Sequence, residues 1–292
     1  MVLSFYIVWI FLTKEKPEDG FEKIYSKRLL FFVMLNIGLI VAGIYCVARF
    51  FADRSWRVKD FYTRYIRLSS VDFVFIFTLF IGLSALFEIV AKMVVSEQRL
   101  QLAMVAMSPL MYGILLTFIF SLIKFRGGSP LLELGLNSRR YLRLIWIGFV
   151  AFLFHRPIMP IFNAISMLIC HAFGVELVNN PVQDLYHGES LPILKALLLI
   201  LPVVSAPFFE ELLFRGVLYK VLRKHLNVVS TILITAVFFS IVHKGLYQMI
   251  NIFALGVILA YLVEKTGSII PSITLHFLVN LTSVIALALG AK

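Results

Sequence analysis

The chain has 292 residues, 61% of them hydrophobic and only 15% charged, and its mean hydropathy is +0.95. A soluble domain is nearer half apolar and a quarter charged, so a soluble globular class is excluded and the chain reads as a multi-pass membrane protein. The net charge of +11 is concentrated in loops, and basic loops facing anionic lipid need no nucleic-acid partner.

In chain order, MVLSFYIVWIFL (1–12) lacks the basic start and small-residue cleavage site of a secretory signal. It reads as a retained apolar segment, short of the roughly 20 residues a span needs. Candidate spans follow at 29–48, 71–91, 102–123, 144–173, 191–219, 226–243, 246–263 and 268–289. Residues 49–70 carry six Lys/Arg against two acids, 124–143 five against one, and 220–224 three against none, whereas 174–190 carry three acids and no base. That asymmetry puts the basic loops on the inner side of the membrane. The fold class is therefore all-α: a transmembrane helical bundle of about eight segments, with broken helices around a polar site.

The breaks are expected at prolines, which interrupt helices. HRPIMP (155–160) falls in the fourth span, and Pro202 and Pro207 fall in the fifth. A new helix is expected to open near Pro207 and to run to about Leu222, which sets Glu210 and Glu211 at its N-terminal dipole. His155–Arg156 reads as the lining of the first break, with Arg156 as a rival candidate for holding a substrate carboxylate. Glu88 and Lys92 read as a structural i,i+4 pair, and Cys46 and Cys170 as apolar-segment residues outside any disulfide or thiolate site.

PFFEELLFRG (207–216) puts two carboxylates and an arginine into an apolar stretch. Each charge near the bilayer centre costs at least about 2.5 kcal/mol, so an ionisable residue there is a functional candidate. Glu211 and Arg215 share a helix face and can pair. Glu210 is rotated about 100° away, which leaves it free to act elsewhere. FFSIVH adds His243, one turn after Phe239, and TGSIIPSITLHFLVNL adds His276 and Asn280 on one helix face. A glutamate with a histidine can take a proton from water. A second histidine and an asparagine can donate to an oxygen that becomes negative in the transition state. Counted from the expected inner ends near Tyr219 and Ser268, Glu210 and His276 lie at similar depths, about 13 and 12 Å, while His243 counted from Leu226 lies at about 25 Å. The topology around His243 is thus at odds with the motif set.

EELLFR, FSIVH and HFLVN resemble the EExxxR, FxxxH and HxxxN motifs of the CPBP family of intramembrane proteases, related to the type II CAAX prenyl protease and to abortive-infection proteins. FRGVLYKVL after the first motif and TGSIIPSITLH before the third are similar as well. The resemblance covers about 191–289, and LGLNSRRY (134–141) looks like the family's entry to its core. Residues 1–123 carry none of it, so they form N-terminal membrane segments without an assigned role, ahead of a protease-like core at 124–292.

The resemblance implies a glutamate-dependent intramembrane endopeptidase, a hydrolase of the CAAX-protease type. Glu210 and His243 would activate water, His276 and Asn280 would form the oxyanion hole, and Glu211 and Arg215 would orient the site or contact substrate. It implies a membrane-associated protein or peptide substrate, lipidated ones included, at the inner membrane of a prokaryote, and no cofactor. Three rivals share the residues. A divalent metal such as zinc bound by Glu210, Glu211, His243 and His276 would make a metal-dependent protease. A non-enzymatic immunity or partner-binding protein would use the cluster as a network or docking site. A transporter would explain broken helices, but no inverted repeat is visible.

Overall fold

The computed structural model describes residues 34–45, 66–174, 186, 191–243 and 246–288. The apolar segment at 1–12 and the acidic loop at 174–190 fall wholly or mostly outside them. Among the described residues the main elements are α1 (Met34–Tyr45), α2 (Ser70–Val94), α3 (Glu97–Phe125), a short α4 (Pro130–Glu133) and α5 (Tyr141–Ala172). There follow α6 (Pro192–Glu211, continued to Arg223), α7 (Val228–Ile241), α8 (Leu246–Thr266) and α9 (Ile270–Ala288). Six of these segments are long and apolar enough to cross a membrane, while α1 and α7 are shorter apolar helices. The protein is an integral, multi-pass membrane protein with an all-helical fold, and its elements follow the eight expected segments.

The expected breaks at proline do not occur. Pro157 and Pro160 lie inside the 32 residues of α5, and Pro202 and Pro207 lie inside α6. Each proline costs one backbone hydrogen bond: Pro157 leaves Leu153 O, and Pro202 leaves Leu198 O, without its helical donor. A neighbouring helix reaches the first of these, since Gly43 of α1 packs directly against Leu153 O, and Asn280 Nδ2 ties α9 to α6 by donating to Pro202 O at 2.8 Å. The departure from α geometry comes further on, as a π-helical stretch at Leu212–Leu218. Glu210 and Glu211 therefore stand mid-helix, not at a helix N-terminus, and the dipole argument for them fails.

The same correction resolves the depth of His243. Because α6 runs on to Arg223, Glu210 is roughly 20 Å from that end, and His243 is roughly 22 Å beyond Val228. These two levels agree, whereas His276 lies only about 9 Å beyond Ile270 on the same scale, so the inner ends of the helices do not share one level.

Two glycine loops lock the basic end of the bundle. Gly135 (φ 80°) and Gly267 (φ 67°) adopt left-handed backbone, which glycine enters without steric cost. Ser268 Oγ and Ile269 N both donate to Gly135 O, at 2.7 and 3.2 Å. A Cβ on Gly135 would stand 3.1 Å from Gly267 O. Leu134, fully buried, lies against Gly216 of the π-helical stretch. LGL and TGS are thus two halves of one joint, which fixes where α9 begins relative to α6.

The basic loops meet at this end. Arg67 pairs with Glu133 at 3.4 Å, Arg126 with Asp72 at 2.7 Å, and Lys224 Nζ donates to Leu68 O at 2.7 Å. Partial burial holds the Lys224 ammonium below its ordinary value, with Glu133 and Asp72 opposing that shift. Arg223 reaches Glu264 at 3.3 Å, and Tyr219 donates to the same carboxylate at 2.7 Å.

Candidate active site

The site grows from the turn at which α6 leaves α geometry. Glu211 and Arg215 are both fully buried, and Arg215 Nη1 donates to Glu211 Oε1 at 2.9 Å. A buried charge is tolerated only when it is paired and hydrogen-bonded. Arg215 gains two more supports: Nη2 faces Gly256 O at 3.4 Å, and the guanidinium lies 4.1 Å from the Phe239 ring centroid, a cation–π geometry. π-helical turns occur mostly as local features of functional sites, and this one carries every residue from Leu212 to Leu218 buried.

Phe239 is the hub. Its ring meets His243 edge-on at 4.7 Å, His276 at 5.7 Å and Phe214 at 5.2 Å. It separates the ion pair from solvent and holds both imidazoles against α6.

The hydrogen bonds fix the tautomer of each ring. His243 Nδ1 lies 2.7 Å from Phe239 O, and a carbonyl only accepts, so Nδ1 carries the proton. His276 Nδ1 lies 3.0 Å from Glu211 Oε1, the oxygen that also accepts from Arg215 Nη1, so Nδ1 is the donor there too. In a neutral imidazole the other nitrogen then offers a lone pair. Both Nε2 atoms face Glu210 Oε2, His243 at 3.5 Å and His276 at 3.9 Å. Glu210 Oε2 is buried without a hydrogen-bond partner. Three acceptors thus converge with no donor between them. Such a cluster is satisfied by a shared proton or by a group that donates to two of the three, as a water does.

The fold therefore brings Glu210, Glu211, Arg215, His243 and His276 together, with Phe239 at their centre. Asn280 stands one turn beyond His276 and donates to Pro202 O. Among the described residues, no three His, Cys, Asp or Glu are grouped so as to hold a metal ion. Glu88 and Lys92 form the expected i,i+4 pair at 2.7 Å, far out on α2. Arg156 donates to Asn36 and lies 5.7 Å from the Phe152 ring, within α5 rather than at a helix break.

One residue beside the site was not legible as such. Tyr112, on α3, stacks on Phe209 at 4.3 Å with an interplanar angle of 11°, and its phenol is within electrostatic reach of Glu210. Nothing in the apolar stretch MSPLMYGI (107–114) marks one tyrosine among lipid-facing aromatics. His155 was legible only as the lining of a break that does not exist. An open apolar groove of about 610 Å³ runs beside the site between α5, α6 and α9, lined by Trp146, Phe149, Pro207, Phe208 and Phe277 among others.

Residues 192–282 match the family described as type II CAAX prenyl endopeptidase Rce1-like. That stretch contains all three motifs, so the CPBP resemblance read from them is borne out there, and it carries a hydrolase family's signature over less than half of the chain. No curated protein and no solved structure gives a match.

Proposed function

We propose that this Rce1-like membrane protein is a glutamate-dependent intramembrane endopeptidase. The observation that carries the reading is the convergence of His243 Nε2 and His276 Nε2 on Glu210 Oε2, at 3.5 and 3.9 Å. A water there donates to two of the three and presents its lone pair to a carbonyl carbon. As the O–C bond forms, Glu210 with His243 takes the proton. The tetrahedral intermediate collapses, the C–N bond breaks, and the proton passes to the leaving amine.

Glu211 and Arg215 act through His276: the carboxylate holds Nδ1–H and so sets which nitrogen faces Glu210. Asn280, with one amide hydrogen on Pro202 O, has one left for a substrate oxygen. The apolar groove beside Phe208 and Phe277 suits the lipid or apolar anchor of a membrane-associated substrate, CAAX-type tails included. A prokaryotic inner membrane fits the basic loops gathered at one end. No metal is assigned to this route.

The test is cleavage by the purified protein in detergent. Wild type is compared with Glu210→Ala, His243→Ala and His276→Ala on membrane-anchored and farnesylated reporter peptides, with and without chelator. Cleavage lost in all three variants and indifferent to chelator is expected. Loss to chelator with recovery on zinc would transfer the same residues to a metal-dependent route. Full cellular phenotype in a folded Glu210→Ala protein would favour a non-enzymatic immunity or partner-binding role.

A further inference from the structure

The cations at the basic end of the bundle fall into two groups. Arg67, Arg126, Arg223 and Lys224 have protein partners in Glu133, Asp72, Glu264 and Leu68 O. Arg139, Arg140 and Arg143, at the start of α5, do not. Their side chains are exposed and make no hydrogen bond or ion pair among the described residues. No acid stands in the first turn of α5 to offset them.

These arginines border the inner mouth of the apolar groove. Leu142 lines it, next in the chain to Arg143, and Ile145, Trp146 and Phe149 continue the same wall. The wall across from it begins at Ile273 and Thr274, in the first turns of α9. The two helices start at the same end of the bundle: Ile269 N donates to Gly135 O in the loops before them, and Gly148 meets Pro271 O and Thr274. From Leu142 to Phe149 the α5 wall rises about 10 Å away from the arginines. Trp146 and Phe149 stack at 5.4 Å with an interplanar angle of 28°, which gives the groove one flat aromatic side.

A surface that is apolar along its length and cationic at its mouth complements a molecule with a hydrocarbon chain and an anionic head. A neutral lipid fills the groove but leaves three guanidinium groups to water. We infer that the groove between α5, α6 and α9 is a site for one anionic phospholipid, with an acyl chain against Trp146 and Phe149 and its phosphate among Arg139, Arg140 and Arg143. Guanidinium offers phosphate paired N–H donors, and basic pockets between membrane helices on the inner side hold anionic head groups. The site does not depend on the endopeptidase reading. Where that reading holds, a substrate's apolar anchor must displace the acyl chain from the same groove.

The experiment reads quenching of Trp146 by lipid whose acyl chains carry bromine. Trp9 and Trp56 are replaced by Phe, which leaves Trp146 as the one indole. The protein is reconstituted in phosphatidylcholine vesicles with a rising fraction of brominated phosphatidylglycerol or of brominated phosphatidylcholine. Half-maximal quenching is expected at a phosphatidylglycerol fraction at least about fivefold below that for phosphatidylcholine, which is what one arginine contributes near an anionic surface. Arg139→Gln, Arg140→Gln and Arg143→Gln together should bring the two fractions within about twofold. Lys124→Gln, at an exposed cation in the last turn of α3, should leave the preference intact. Equal quenching by the two lipids in the protein with its arginines overturns the inference. So does a preference that survives loss of all three arginines. A preference that Lys124→Gln lowers as much as Arg143→Gln overturns it too, because it then belongs to the basic end as a whole. On the chain that keeps all its tryptophans, mass spectrometry of the detergent-solubilised protein titrated with phosphatidylglycerol should show one retained lipid, and its persistence in the triple Gln variant is equally fatal.

Discussion

Helices α2 and α6 are both long and apolar enough to cross a membrane but differ in what surrounds them. Of the 25 residues of α2, Asp72, Ile76 and Ala91 are buried, and Val71, Val74, Phe75, Ile81 and Ile89 point outward. From Leu212 to Val221 in α6, every residue is buried. Lipid is as good a solvent for leucine as protein is, so hydropathy alone does not separate the two. The charges do. In α2 they sit near the ends: Asp72 closes a capping box with Ser69 and meets Arg126, and Glu88–Lys92 is half exposed. In α6 they sit at mid-helix, where only other protein groups can satisfy them.

The largest expected effect breaks this comparison at Glu211. Removing one partner of a buried ion pair leaves the other uncompensated, at a cost of about 3–5 kcal/mol. Glu211→Ala should therefore lower the unfolding midpoint of the detergent-solubilised protein markedly and abolish cleavage as well. Glu210→Gln should separate the two properties. Glu210 is not held by Arg215, so the fold should stay within experimental error of wild type while cleavage falls by about 10²–10⁴-fold. If the two variants were equally destabilised, the division between a structural glutamate and a reacting one would be wrong.

That division was already legible in the sequence. EE-x-x-x-R at 3.6 residues per turn admits one pair and leaves one carboxylate over, and the structure pairs Glu211 as expected. Helix positions were legible as well, because apolar length sets them. Two things were hidden. Prolines 157, 160, 202 and 207 read as breaks, yet in a membrane bundle a helix can carry proline where a neighbouring helix packs against the freed carbonyl, as Gly43 does at Leu153 O, which Pro157 leaves without its donor. The wall of the site was also hidden. Tyr112 reaches it by stacking on Phe209 from a helix distant in sequence, and no spacing within one helix encodes that.

A mid-sized effect is expected where α5 meets α9. A Cβ on Gly148 would stand 2.6 Å from both Pro271 O and Thr274 Cβ, too close for any real contact. Gly148→Ala must push the helices apart, and overpacking of this kind costs about 1–3 kcal/mol. Because α9 carries His276, the displacement should lower kcat as well as the unfolding midpoint, although Gly148 touches neither glutamate. An unchanged midpoint would mean that the two helices slide freely, and the site would then owe less to this contact than to the LGL–TGS joint.

The smallest effect is expected near the end of α2. Glu88 and Lys92 are bonded at 2.7 Å, but their side chains are 48% and 53% exposed. Exposed i,i+4 pairs contribute about 0.3–0.5 kcal/mol. Glu88→Gln should therefore move the unfolding midpoint barely measurably and leave cleavage untouched, and added salt should erase what difference there is. The pair has the same i,i+4 spacing and the same order, acid before base, as Glu211–Arg215. A large loss in Glu88→Gln would show that position along the helix, not burial by protein, decides what such a pair is worth.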